Sequence, residues 1–209
     1  MSVQSYGSDL TVSRSYSTRD YTRGDASGMF GPGWTSSVGV EDAGVDYTGL
    51  TVAGSLVQLG LPEGNSIGFT VKTTTGTGKT LTPEVGVDDL TLTYTVAGDS
   101  YTLADLDGTV VTFTKPSGSA LYKPTAVTTP GSGQTTTTSW ETATVAGAPV
   151  TRPTRILAPV PAGVTCGAGT AGLLRGCRAL AFTYATGTTA TGGAEAQWGD
   201  YTGRVGKSP

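Results

Sequence analysis

Few groups in this chain can do covalent chemistry, and histidine is absent from all 209 residues. That absence excludes Ser-His-Asp and Cys-His catalysis, histidine zinc centres and haem ligation by histidine. Gly76-Thr77-Gly78-Lys79-Thr80 imitates the end of a phosphate-binding loop. The first glycine of that motif would stand at Thr73, however, and Leu81-Thr82-Pro83 cannot open the helix that would hold the phosphate. The segment reads as a hairpin loop. Asp105-x-Asp107-Gly108 spaces two carboxylates as the start of a calcium loop does, but Pro116 occupies the place of the bidentate glutamate. Glu141 is the acid best suited to glycosidase chemistry, because its neighbour Trp140 can stack on a sugar and raise a carboxyl pKa. The competing reading is a surface glutamate next to a core tryptophan. Cys166 and Cys177 flank a glycine-rich stretch that can bend back to bring them within disulfide reach. In an oxidising compartment they are expected to pair, and elsewhere to remain buried thiols. Their spacing is not C-x-x-C, and zinc would find only carboxylates as further ligands. No catalytic, cofactor or metal site is therefore expected.

The elements that must position these groups are strands. Hydrophobic residues make up 36% and charged residues 14%, with 32 glycines among the rest. Apolar residues alternate with Thr, Ser, Arg or Ala at Leu10 and Val12, at Leu90, Leu92, Tyr94 and Val96, around Val110, and at Leu180, Phe182 and Tyr184. Helix formers are scarce, and Gly or Pro interrupts nearly every window long enough for a helix. The expected fold is all-β, antiparallel hairpins and meanders in a single module over 1–209, with a β-sandwich as the alternative. Asp107-Gly108 between two alternating runs predicts a type I′ hairpin turn from Tyr101 to Phe113. Further turns are expected at Pro62–Asn65, Ala97–Asp99, Pro116–Gly118 and Pro130–Gly133. Thr135–Thr138 reads as a solvent-facing strand.

Charge narrows the partners. A net charge of −3 with 13 scattered Lys and Arg offers no patch for phosphates or anionic lipid, so nucleic acid is not expected. The apolar run Ala179–Phe182 falls far short of the roughly 18 residues of a bilayer span. Met1–Asp9 has neither a basic nor an apolar leader region, so no signal peptide is read there.

One segment stands out for its architecture. Arg14 and Tyr16 share a strand face, and Gly31-Pro32-Gly33 forces a tight bend that sends Trp34 toward the core. Val12-Ser13-Arg14-Ser15-Tyr16-Ser17-Thr18-Arg19 followed by Met29-Phe30-Gly31-Pro32-Gly33-Trp34-Thr35-Ser36-Ser37 resembles the opening segment of RHS/YD-repeat proteins, which read R-x-Y-x-S and then G-x-G-W. The hairpin holding Asp107, Gly108 and Phe113 is similar to the D-x-x-G-x-x-x-x-F hairpins of the same region. Gly176-Cys177-Arg178-Ala179-Leu180-x-Phe182-x-Tyr184 and Gly199-Asp200-Tyr201-Thr202-Gly203-Arg204-Val205 resemble segments of actinobacterial members.

The resemblance implies a secreted or cell-surface, non-enzymatic scaffold, in which β-sheets spiral into a shell around a toxin or present an adhesive surface. This chain carries no Y-D-x-x-G-R array beyond the degenerate Tyr201-Thr202-Gly203-Arg204, so it corresponds to the part before the repeats. The implied partners are the remainder of such a chain or further copies of this one through edge strands. A glycan-binding module using Trp140, Trp198 or a tyrosine is the alternative, and a carboxylate-dependent glycoside hydrolase the second.

Overall fold

The computed structural model describes residues 2–4, 9–16, 29–30, 34–40, 47–61, 65–145, 147–167, 174–186 and 203–207. Among these residues there is no helix. Eleven strands form one antiparallel sheet: β4 (Gly49–Ala53), β5 (Leu56–Gly60), β6 (Ser66–Thr74), β7 (Gly78–Pro83), β8 (Thr91–Thr95), β9 (Ser100–Ala104), β10 (Val110–Thr114), β11 (Lys123–Thr128), β12 (Thr135–Val145), β13 (Ala148–Leu157) and β14 (Ala179–Ala181). Each strand pairs with the next in the chain, so the sheet is a single meander rather than two packed sheets. Three strands, β1 (Ser2–Val3), β2 (Leu10–Tyr16) and β3 (Trp34–Val40), form a second sheet, and β15 (Thr183–Tyr184) pairs with β16 (Val205–Lys207).

Register turns the alternating sequence into two chemically distinct faces. Leu81, Leu92, Leu103, Val111 and Val127 are successive cross-strand partners, forming one apolar row over five strands. One residue along, Thr80, Thr93, Thr102, Thr112 and Ala126 form the next row on the opposite face. Burying each large apolar side chain contributes about 1.5–3 kcal/mol, more than the roughly 1 kcal/mol span of β-propensity, so burial decides which face turns inward. The inner face gathers Leu50, Val57, Leu59, Phe69, Leu81, Leu92, Tyr101, Leu103, Val111, Phe113 and Tyr122 into one core.

The sheet curls as these side chains converge. Its first edge returns to a point just before β11: Leu50 N–H donates to Tyr122 O at 2.9 Å, and Tyr122 N–H to Leu50 O at 3.1 Å. This is one bridge, not a continuous ladder, and the sheet stays open. A second core joins distant parts of the chain, with Leu10 and Met29 packed among Ile156, Ala158, Leu180 and Phe182. Val12, Phe30, Tyr184 and Val205 lie against it.

Two local expectations need correction. Val110 pairs with Ala104, so the β9–β10 connection has five residues, Asp105–Thr109, not the two of a type I′ turn. Such a turn needs φ > 0 at both central residues, but Asp107 is not among the positive-φ residues and only Gly108 is, at 91°. Asp105 Oδ1 instead accepts the N–H groups of Asp107 and Thr109, each at 3.1 Å, closing a wider loop than two residues allow. The Thr135–Thr138 stretch lies in β12, but Thr136 is buried: it pairs with Val127 and so continues the inner apolar row.

Candidate functional site

A cluster of polar and aromatic side chains sits at one rim of the curled sheet. Lys79, Tyr94, Tyr101 and Phe113 are successive cross-strand partners, which places their side chains on the inner face one step from the end of the strands. The β8–β9 turn then brings Asp99 over the row, with a left-handed backbone (φ 41°) of the kind that Asp and Asn tolerate better than most residues. Asp99 Oδ1 accepts the Tyr94 hydroxyl at 3.0 Å and the Tyr122 hydroxyl at 2.6 Å. The rings form a chain, with centroids 4.8 Å apart for Tyr94–Tyr101 and 4.9 Å, edge to face, for Tyr101–Tyr122. Lys79 Nζ lies 5.8 Å from the Tyr94 centroid and Lys115 Nζ 5.7 Å from that of Tyr122.

Hydrogen bonding and burial hold the phenols of this rim in their protonated form. The hydrogen bond to Asp99 raises the Tyr94 phenol above its ordinary value, and burial first, then Asp99, raises that of Tyr122. Burial does the same for Tyr101. A protonated phenol can donate a hydrogen bond, as Tyr94 and Tyr122 do to Asp99.

The proposed glycosidase acid is held elsewhere. Glu141 accepts from Arg152 Nε at 2.8 Å, and Arg152 also donates from Nη1 to Gly203 O at 3.1 Å while its guanidinium lies 3.8 Å from the Tyr184 ring centroid. Burial pushes the Tyr184 phenol up; its hydroxyl donates to Pro153 O at 2.5 Å. Gly203 has φ +80°, and a Cβ there would come within 2.6 Å of Val145, so only glycine lets this segment approach β12. Trp140 is half-buried, donates from Nε1 to Pro124 O at 2.7 Å, and has Lys123 Nζ 5.5 Å from its ring centroid. Its polar edge is already bonded within the fold, and one face carries a lysine. Trp198 lies outside the described residues.

The other residues singled out by the sequence fall into place unevenly. Cys166 and Cys177 form a disulfide with Cα atoms 5.9 Å apart, which belongs in an oxidising compartment. Asp105 and Asp107 turn their oxygens to backbone N–H groups, Asp107 Oδ1 meeting Thr109 N–H at 2.7 Å. Among the described residues no group of three His, Cys, Asp or Glu is arranged to hold a metal ion. Phe113 is fully buried, its ring centroid 6.3 Å from that of Tyr47. Arg14 is exposed, with its guanidinium 5.5 Å from the Phe30 centroid, and Tyr16 is half-exposed beside it on β2. Trp34 opens β3 opposite Tyr16, with its side chain outside the described set; Gly31 and Gly33 also lie outside it. Gly76–Lys79 belongs to the β6–β7 hairpin, where Thr75 Oγ1 accepts the Gly78 N–H at 3.1 Å. No described helix of the chain is long and apolar enough to cross a membrane.

Where β4 meets Tyr122, an open groove of about 230 Å³ is lined by Thr48, Gln58, Asn65 and Lys123 among others. It is smaller than the roughly 300 Å³ at which ligand pockets usually begin. The sequence places Tyr94 in a strand and Asp99 in a turn but does not bring them together with Tyr122. The four-residue return from Thr95 to Ser100 would have placed Tyr94 opposite Tyr101, but nothing local points to Tyr122.

No family model matches the chain, and no curated protein matches it. Among solved structures, the N-terminal domain of effector protein SpvB from Salmonella typhimurium strain LT2 is similar, with a TM-score of 0.54 and 14% identity over 88% of this chain and 70% of that one. At that identity the likeness is one of fold.

Proposed function

We propose that this chain is a non-enzymatic structural module, a curved wall of β-sheet of the kind that precedes the repeats in RHS/YD-type secreted or cell-surface shells. The observation that carries the reading is the unbroken eleven-strand meander, with one edge tied back to Tyr122 and the other, at β14, joined to no further strand among the described residues. The disulfide supports an exported protein.

The β14 edge is chemically ready for a further strand. Phe182 N–H donates to Thr154 O and Ala158 N–H to Arg178 O, both at 2.9 Å. Alternation in an antiparallel ladder then turns the N–H groups of Ala179 and Ala181 away from β13, toward the open side. Added sheet there, from the continuing chain or another copy, extends the wall.

Sedimentation velocity over a wide concentration series tests the edge. The wild-type chain is expected to associate with rising concentration, and Ala181→Pro, which removes one outward N–H, to remain monomeric. A wild-type chain that stays monomeric throughout overturns the edge-extension reading. Turnover of a polysaccharide panel that is lost in Glu141→Gln overturns the non-enzymatic one.

A further inference from the structure

Arg155, on β13, is only 9% exposed, and its guanidinium is only partly satisfied. Nη1 donates to Gly167 O at 2.6 Å, beside the Cys166–Cys177 disulfide. Nε and Nη2 are buried and have no hydrogen-bond partner among the described residues. An arginine cannot shed its proton, and a buried unpaired charge is costly enough that native structures nearly always pair it. The two unpaired nitrogens are also the pair whose N–H bonds run parallel along one edge of the guanidinium, the edge that receives a carboxylate or phosphate in bidentate fashion.

No described residue supplies such a partner. Between Glu141 and Glu195 the sequence contains Arg152, Arg155, Arg175 and Arg178 and no Asp, Glu or Lys. Arg152 is engaged by Glu141. Arg175 and Arg178 lie close in sequence on either side of Cys177, and Arg178 Nη1 donates to the Cys177 carbonyl at 3.1 Å, so positive charge is gathered at the same disulfide. A bulge next to Arg155 also interrupts the regular ladder, since Ser139 pairs with Arg155 and Trp140 with Pro153, leaving Thr154 as the extra residue. Bulges of this kind re-aim neighbouring side chains.

We propose that Arg155 is the centre of an oxyanion-binding site, whose buried, unpaired Nε/Nη2 edge takes a carboxylate or phosphate group beside the Cys166–Cys177 disulfide. The site does not depend on the wall reading, and its test uses a different measurement. Thermal unfolding of the full chain is followed at constant ionic strength while chloride is replaced stepwise by acetate or by inorganic phosphate. The wild-type Tm is expected to rise and saturate with at least one of them; saturation by acetate alone points to a planar carboxylate, by phosphate alone to a tetrahedral anion. Arg155→Lys keeps the charge but lacks the paired edge, and is expected to lose the saturating rise. Arg155→Met removes the buried charge, and is expected to be at least as stable as wild type in chloride and indifferent to either anion. No saturable rise in the wild type, or the same rise in wild type and Arg155→Lys, overturns the proposal. The lysine comparison stands alone if the methionine variant does not fold.

Discussion

Asp99 shows how one side chain can organise a rim. Its single Oδ1 holds two phenols that come from β8 and from the segment before β11. Asp99→Ala is expected to cost about 1.5–3 kcal/mol, the range for hydrogen bonds to a charged group. Asp99→Asn keeps an acceptor and suits the left-handed backbone, and is expected to cost less than half as much; urea unfolding at unchanged m-value checks both. Tyr47 gives a pH prediction. Burial, and then the nearby charges of Asp105 and Asp107, push its phenol from an ordinary 10.0 up to about 12. A raised folded-state value means that this contribution is complete below about pH 10 and is lost as pH rises toward about 12, because the unfolded chain releases the proton first. Alkaline unfolding followed by circular dichroism should accompany tyrosinate absorbance through that window, and Tyr47→Phe should shift the transition to higher pH. The disulfide was legible in the sequence because two lone cysteines bracket a flexible stretch. Asp99 and Arg155 were not, since their partners are set by register and burial, which a linear pattern does not contain.

At the scale of elements, the alternating runs gave the strands and the sense of each face. Leu92, Tyr94 and Leu180 to Tyr184 lie in or beside strands as their period-two pattern implies. What the pattern missed were exceptions to local rules. Asp105 captured the turn that Asp107-Gly108 alone would have made tighter. Thr136, a polar residue in a threonine run, became part of the inner row because Val127 is its neighbour. The disulfide is the element-scale device most open to measurement. It closes a loop with a sequence separation of 11, for which the chain-entropy model gives a stabilisation of roughly 3 kcal/mol. Reduction, or the double Cys166→Ser/Cys177→Ser variant, should lower the denaturant midpoint accordingly; an unchanged midpoint would show that β14 is held to β13 without it.

At the scale of the molecule, nearest-neighbour pairing among the described residues runs from β4 to β14, and other contacts reach farther. The Leu50–Tyr122 bridge draws one edge back onto the sheet, and Leu10 and Met29 meet Leu180 and Phe182 from the other end of the chain. Val12, Met29 and Phe30 near one end of the sequence thus share one core with Leu180, Phe182, Tyr184 and Val205 near the other. Leu50 is fully buried at the bridge, and Leu50→Ala is expected to cost about 2–5 kcal/mol in equilibrium unfolding. The bridge also has a kinetic meaning. A meander zips from hairpin to hairpin with little loop to close at each step, whereas joining Leu50 to Tyr122 must gather every strand between them. That closure comes late, so truncating Leu50 should leave the folding rate nearly unchanged and speed unfolding, making the bridge a latch on the native state's lifetime rather than a guide to its formation.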